Sequence, residues 1–194
     1  RLMFQSARHP SLLSSRIHEA FGPAALGFAL MQAAQRAGMV ALLLPEHRAE
    51  TVLPAGLRRI LPPERVVVIR AGSDADLLWA MEEALRAAAL GFVIAVWDKP
   101  LSLTQGRRLQ LAAEAGRTTG ILLIPESGGS NAAETRWHCA PLWQATESTL
   151  MRWSLIKNKK GTCESWVVRW DAAAGAISVV SETGERSGAA PQVL

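Results

Sequence analysis

A chain of 194 residues and 20.9 kDa fits one ordinary domain with tails, because two domains of half that length would each have a thin core. Apolar residues make up 49% and charged residues 20%, which excludes a largely disordered chain. Lys and Arg number 21 against 17 Asp and Glu, a net charge of +4 that is compatible with a nucleic-acid neighbourhood but equally serves solubility.

Along the first two thirds, short apolar runs alternate with helical patterns. A strand-like Arg16–Phe21 is followed by a turn at Gly22 and a helix over Ala24–Ala37, closed by Gly38. Val40–Leu44, Arg65–Ile69, Gly91–Val96 and Thr119–Ile124 are unbroken apolar runs of the kind a strand buried on both faces requires. Asp74–Leu90 sets Leu77, Leu78, Met81, Leu85 and Ala88 on one helical face, with Gly91 as its stop. Ser102 and Gln105 have capping-box spacing and open a helix that turns Leu109, Ala112 and Ala113 inward and ends at Gly116. This alternation predicts an α/β fold with a mainly parallel sheet flanked by helices.

After Pro125 the texture changes. Glu126–Asn131 reads as a flexible, turn-rich connection. Alternating strands are predicted at Glu134–Cys139, Leu150–Asn158, Ser165–Asp171 and Ile177–Glu182, a C-terminal antiparallel extension of the sheet. Met151, Trp153 and Leu155 share one face, as do Trp166, Val168 and Trp170, so these tryptophans are expected in the core instead of serving as base-stacking platforms. Residues 1–183 form the expected domain, and 184–194 the expected disordered tail. Two cysteines cannot make a disulfide framework, no apolar run nears the roughly 20 residues of a membrane span, and the first residues lack a signal-peptide pattern. A cytoplasmic protein with no membrane association is expected.

Chemistry concentrates at Gly22-Pro-Ala-Ala-Leu-Gly27-Phe28-Ala29. A strand–turn–helix with glycines at this spacing is the setting of a phosphate-binding loop, G-x-x-x-x-G-K followed by Ser or Thr. There the lysine neutralises phosphate charge and the hydroxyl holds magnesium. Here those positions are Phe28 and Ala29, and a phenyl ring and a methyl can do neither. Losing one buried charged partner costs about 2–5 kcal/mol, or roughly 30- to 4000-fold in affinity. The two glycines are therefore expected to mark a tight turn, with no ATP hydrolysis, no catalytic residue and no cofactor.

In chain order, other segments resemble the RecA ATPase core. Ala34-Gln-Arg-Ala-Gly38 is similar to the end of its P-loop helix, and Leu44-Pro-Glu46-His47 to its catalytic strand end. Val93-Ile-Ala-Val96 is similar to its Walker B strand, with Trp97 where the acid is expected and Asp98 one place later. Lys157-Asn158-Lys159 resembles the basic triplet that reaches across a RecA filament interface, and the DNA-binding loop is cut down to Ser127–Ser130. Glu46 and Asp98 are thus vestigial acids, Glu46 having neither lysine nor metal to act with.

A degenerate RecA-like core with these features resembles the ImuA family of SOS mutagenesis accessory proteins. The resemblance runs over roughly Ser11–Glu182, carried jointly by the glycine turn, Trp79–Arg86, Arg107–Ala115 and Glu134–Trp137. It implies a non-catalytic role in error-prone translesion synthesis, through contacts with ImuB (an inactive Y-family polymerase homologue), RecA and an error-prone replicative-type polymerase. DNA contact would be indirect or weak. Lys157, Lys159, Lys160, Arg107 and Arg108 are the candidate partner contacts; the two arginines sit at a helix start, where the dipole prefers acids. The segments Arg1–Ser11 and Gly184–Leu194 are further candidates for docking. Alternatives are a SulA-type inhibitor binding the tubulin-like division protein, and a RecA homologue with residual ATP or DNA binding. His138, Cys139 and Cys163 lack metal-ligand spacing, so no metal site is expected.

Overall fold

The computed structural model describes residues 10–49, 52–143 and 149–183. The predicted tail 184–194 and most of the N-terminal docking segment, residues 1–9, lie outside these. Nine strands form one sheet: β1 (Ile17–Phe21), β2 (Met39–Pro45), β3 (Val66–Ala71), β4 (Leu90–Val96), β5 (Thr119–Leu123), β6 (Thr135–Pro141), β7 (Leu150–Asn158), β8 (Ser165–Asp171) and β9 (Ala176–Thr183). Their order is β3-β2-β4-β5-β1-β6-β7-β8-β9. Pairings from β3 to β6 are parallel and those from β6 to β9 antiparallel, the α/β architecture with a C-terminal antiparallel extension that was expected.

The helices are α1 (Ala25–Ala34), α2 (Pro54–Leu57), α3 (Asp74–Arg86) and α4 (Leu103–Gly116). They cover both faces, which is why the central strands are apolar without a break. Leu42, Leu44, Phe92, Ile94 and Ile121 face α1, whereas Leu43, Val93, Ala95 and Leu122 face α3 and α4. The α1 side continues into the antiparallel strands through Trp137, Trp153, Trp166 and Trp170, so the four tryptophans lie in the core.

Two helices stop earlier than their periodicity predicts. α1 ends at Ala34 because the chain beyond it is held from outside: Arg65 donates to the carbonyls of Arg36 and Gly38. α3 ends at Arg86, and Ala88 is exposed beyond it; the chain turns at Ala87 to bring Leu90 beside Met39 in the sheet. Gly91 is therefore no helix cap but a strand residue. A Cβ there would stand 1.9 Å from the Ala37 carbonyl oxygen, so only glycine allows this approach. The capping box on α4 forms as predicted, Ser102 Oγ accepting from Gln105 N–H at 3.2 Å and Gln105 Oε1 accepting from Ser102 N–H at 2.9 Å. Its left-handed closing residue is Arg117, one place after the expected stop.

The connection before β6 also differs from expectation. Ser130, Ala132 and Ala133 are buried. The buried Glu19 carboxylate in β1 accepts from Ser130 N–H at 2.7 Å and from Arg136 Nε at 2.8 Å. A short glycine-rich segment thus becomes a fixed one, through an acid that composition alone does not single out.

Candidate functional site

Gly22 turns the chain from β1 into α1 with a φ of +97°, a conformation costly for any residue with a Cβ. A Cβ would also meet the Cys139 carbonyl oxygen at 2.5 Å. The amides that follow are used internally: Ala24 N–H donates to Cys139 O at 3.0 Å and Ala25 N–H to Gly22 O at 3.1 Å. Gly27, by contrast, is an ordinary residue of α1, and a Cβ there would make normal contact with the Met151 methyl at 3.6 Å. The expected tight turn belongs to Gly22 alone.

Phe28 points away from this turn and into the core, with no exposed surface. Its ring lies 5.2 Å from Trp137 and 4.7 Å from Trp153, edge-on to the latter. Ala29 is fully buried beside it. A lysine at position 28 would leave an ammonium among aromatic rings, a burial that costs several kcal/mol without a counter-charge. The antiparallel extension thus occupies the space behind the turn, and the Phe28 ring is part of how that extension is attached.

In front of the turn the C-terminal ends of β1, β2, β4 and β5 open into a cleft of about 570 Å³. Such crevices at strand ends are where open α/β sheets bind ligands. Phe21, Pro23, Leu26, Leu44, Val96 and Ile124 make it largely apolar, and its charges are Arg48 and Asp98. Asp98 does face the cleft. Val96 and Asp98 both line it, while Trp97 between them packs with the α3–α4 core, so it is Trp97 that turns to the far side. The carboxylate is held by Arg48, whose Nε donates to Oδ2 at 3.1 Å and whose Nη2 pairs with Oδ1, with His47 Nε2 3.7 Å from Oδ2. Glu46 is exposed and does not line the cleft; its Oε2 would lie 3.2 Å from a Cβ on Gly72, beyond β3. The two predicted acids therefore do not converge. Arg48 was missed, and the signal for it was charge balance: an acid facing an apolar cleft needs a cation nearby.

The basic candidates separate into tethered and exposed groups. Lys157 Nζ donates to the carbonyls of Ser130 at 2.8 Å and Ala133 at 2.9 Å, and Lys159 Nζ to that of Ala132 at 2.7 Å. Lys160 Nζ lies 3.8 Å from Glu134 Oε1. The three lysines converge on residues 130–134. Burial, and then the neighbouring Arg136 charge, pull the Lys157 pKa below its ordinary value. Arg108 donates to Glu82 of α3 at 2.6 Å, linking the two helices, and Arg107 is exposed on α4.

A second buried network lies at the start of β1. His18 Nε2 donates to Leu13 O at 2.9 Å, because a carbonyl can only accept. His18 Nδ1 then accepts from the Thr135 hydroxyl at 2.7 Å, and that oxygen accepts from Trp137 Nε1 at 2.8 Å. The ring is the neutral Nε2–H tautomer, and burial lowers its pKa to about 4. Cys139 is buried, and its thiol pKa is pushed well up by that burial; Cys163 is exposed. Among the described residues no cluster of His, Cys, Asp and Glu could hold a metal ion, and no helix is long and apolar enough to cross a membrane.

No family model matches the chain. ImuA of Caulobacter vibrioides, in two strains, is 31% identical over 106 residues, which is 49% of this chain and 43% of that protein. The cell division inhibitor SulA of Edwardsiella piscicida is 36% identical over 73 residues, 38% of this chain and 43% of the inhibitor. The chain therefore spans less than half the length of the curated relatives it matches. Over the matched part the chain is ImuA-like, with SulA as a further relative.

Proposed function

We propose that this chain is a non-catalytic RecA-like accessory protein of SOS-induced, error-prone translesion synthesis. It acts in the cytoplasm through contacts with ImuB, with RecA and an error-prone replicative-type polymerase as further partners. The likeness to ImuA supplies the biological setting. The observation that carries the non-catalytic part is Phe28, fully buried against Trp137 and Trp153 at the position where a nucleotide-binding loop has its lysine. With Ala29 in place of the hydroxyl, and with the cleft's Asp98 and Arg48 paired with each other in a largely apolar setting, the described strand ends suit a triphosphate–magnesium complex poorly.

Two measurements test this reading. Calorimetric titration with ATP and magnesium is expected to give no heat of binding, and micromolar affinity would return the chain to the nucleotide-binding class. Co-purification with ImuB and RecA is expected to succeed; failure with both removes the accessory role. A second reading, a SulA-type division inhibitor, is favoured by the 36% identity to that protein. Filamentous growth on overexpression, with no association with ImuB, would establish it instead.

A further inference from the structure

The cleft at the strand ends is a concave, largely apolar site whose two charged lining residues, Arg48 and Asp98, are paired with each other. A cleft of this kind takes an uncharged occupant with an apolar body, because a charge would lose its water there. One polar function remains on offer. A carboxylate has about four acceptor positions, and the two bonds from Arg48 do not exhaust those of Asp98. An apolar body with a single N–H donor is the chemistry of an indole.

The chain carries such a group at the same end of the sheet. Trp143 follows the end of β6, and the parallel pairing of β6 with β1 brings the last residues of β6 beside the cleft. The Cys139 carbonyl of β6 accepts from Ala24 N–H at 3.0 Å, immediately behind the cleft-lining Gly22 and Pro23. Trp143 is 94% exposed, more than any other large apolar side chain among the described residues, and it does not line the cleft of its own copy. Trp137, Trp153, Trp166 and Trp170 are all buried, so the sequence spends its other C-terminal tryptophans on the core. Further exposed apolar groups flank the opening: Leu26 on its wall, Leu53 beside the lining Val52, and Leu103 at the start of α4.

Knob and hole on one end make that end self-complementary, which is what a two-fold contact requires, since both subunits use the same patch. We propose that the chain forms a two-fold dimer through this end, the Trp143 of each copy entering the cleft of the other and donating its indole N–H to Asp98. The site is complete only with a second copy. A small apolar molecule is a poorer occupant, because it would fill the cleft and leave Trp143 and Leu53 in water. The dimer does not depend on the accessory reading: it forms from the chain alone, so losing association with ImuB and losing self-association are separate results.

Sedimentation equilibrium on the full chain, up to about 100 μM, tests the proposal, with circular dichroism to show that each variant is folded. The wild-type chain is expected to dimerise. Trp143→Ala, which removes both insertions, is expected to weaken association about thirtyfold or more. Leu26→Glu is expected to weaken it about tenfold or more by placing a charge on the cleft wall, at a position that is 36% exposed in the single copy. The two variants mixed keep one intact insertion of the two, and should associate more tightly than either does alone. Trp143→Phe keeps the apolar body without the donor, and should fall between wild type and Trp143→Ala. A monomer at about 100 μM, or a dimer indifferent to both Trp143→Ala and Leu26→Glu, would overturn the proposal. Weakening by Trp143→Ala but not by Leu26→Glu would also overturn it, by sending the indole somewhere other than the cleft. Full affinity in Trp143→Phe would remove the bond to Asp98.

Discussion

The ring of Phe28 stands edge-on to the indole of Trp153, with centroids 4.7 Å apart and planes at 82°. This contact joins a residue of the glycine-turn helix to the middle of the antiparallel extension, so the residue at position 28 and the packing of the last third are tied together. Substituting Phe28→Lys would restore the P-loop lysine in sequence only. It is expected to cost about 4 kcal/mol or more, from the lost ring contacts and a buried unpaired charge. Urea unfolding checks the cost and titration with ATP–magnesium checks that no binding appears. A stable, nucleotide-binding Phe28→Lys chain would contradict the packing argument.

His18 makes stability depend on pH in one direction. Its native pKa is about 4 against 6.5 for the ordinary group, so between these values the unfolded chain binds a proton that the native chain refuses. The stabilisation is complete above pH 6.5, declines as pH falls, and is gone below about 4. Its full size is about 3 kcal/mol. Unfolding free energies measured from pH 7.5 to 4.5 should fall accordingly, and His18→Asn should flatten the decline. A wild-type profile that is flat over that range would mean the ring is not held neutral.

Lys157 and Arg107 are expected to behave oppositely on charge reversal. Lys157→Glu removes two hydrogen bonds to the carbonyls of Ser130 and Ala133 and sets a carboxylate near the buried Glu19, so a loss of about 2–3 kcal/mol is expected. Arg107→Glu, on the exposed side of α4, should stay within about 0.5 kcal/mol. Thermal unfolding of both variants decides this. If it holds, weakened partner association in Arg107→Glu reports a contact, whereas in Lys157→Glu it reports a disturbed 130–134 segment.

Gly91 and Gly56 provide a contrast in backbone approach. A Cβ on Gly91 would lie 1.9 Å from the Ala37 carbonyl oxygen, while one on Gly56 would meet nothing within 4 Å. Gly91→Ala should cost about 3 kcal/mol or more by forcing β4 from the α1 exit. Gly56→Ala, within α2, should be neutral or gain up to about 1 kcal/mol. Paired urea midpoints test both, and equal midpoints would show that the α1–β4 crossing yields easily.

Much of the architecture was legible in the residues themselves. Strands buried on both faces must be apolar without interruption, and strands with one wet face must alternate. Val93–Val96 and Trp166–Trp170 therefore announced their kind of sheet before any neighbour was known. The Ser102–Gln105 cap was equally local, since both halves of the box lie within one turn. That Phe28 and Ala29 carry neither a cation nor a hydroxyl is likewise read from the residues alone.

What the residues could not show is where each side chain is spent. Lys157, Lys159 and Lys160 read as candidate partner contacts, and only the return of β6 beside β7 set the carbonyls of Ser130, Ala132 and Ala133 and the Glu134 carboxylate within their reach. Asp98 read as displaced by one place, and only the path of the chain past β4 carried Trp97 to one face and the carboxylate to the cleft where Arg48 holds it. The ends of two helices were settled in the same way, by the Arg65 guanidinium and the β2 strand, each more than twenty residues away in sequence. Periodicity is a property of neighbours along the chain; pairing of charges and closure of polar groups depend on distances that exist only once the sheet has formed.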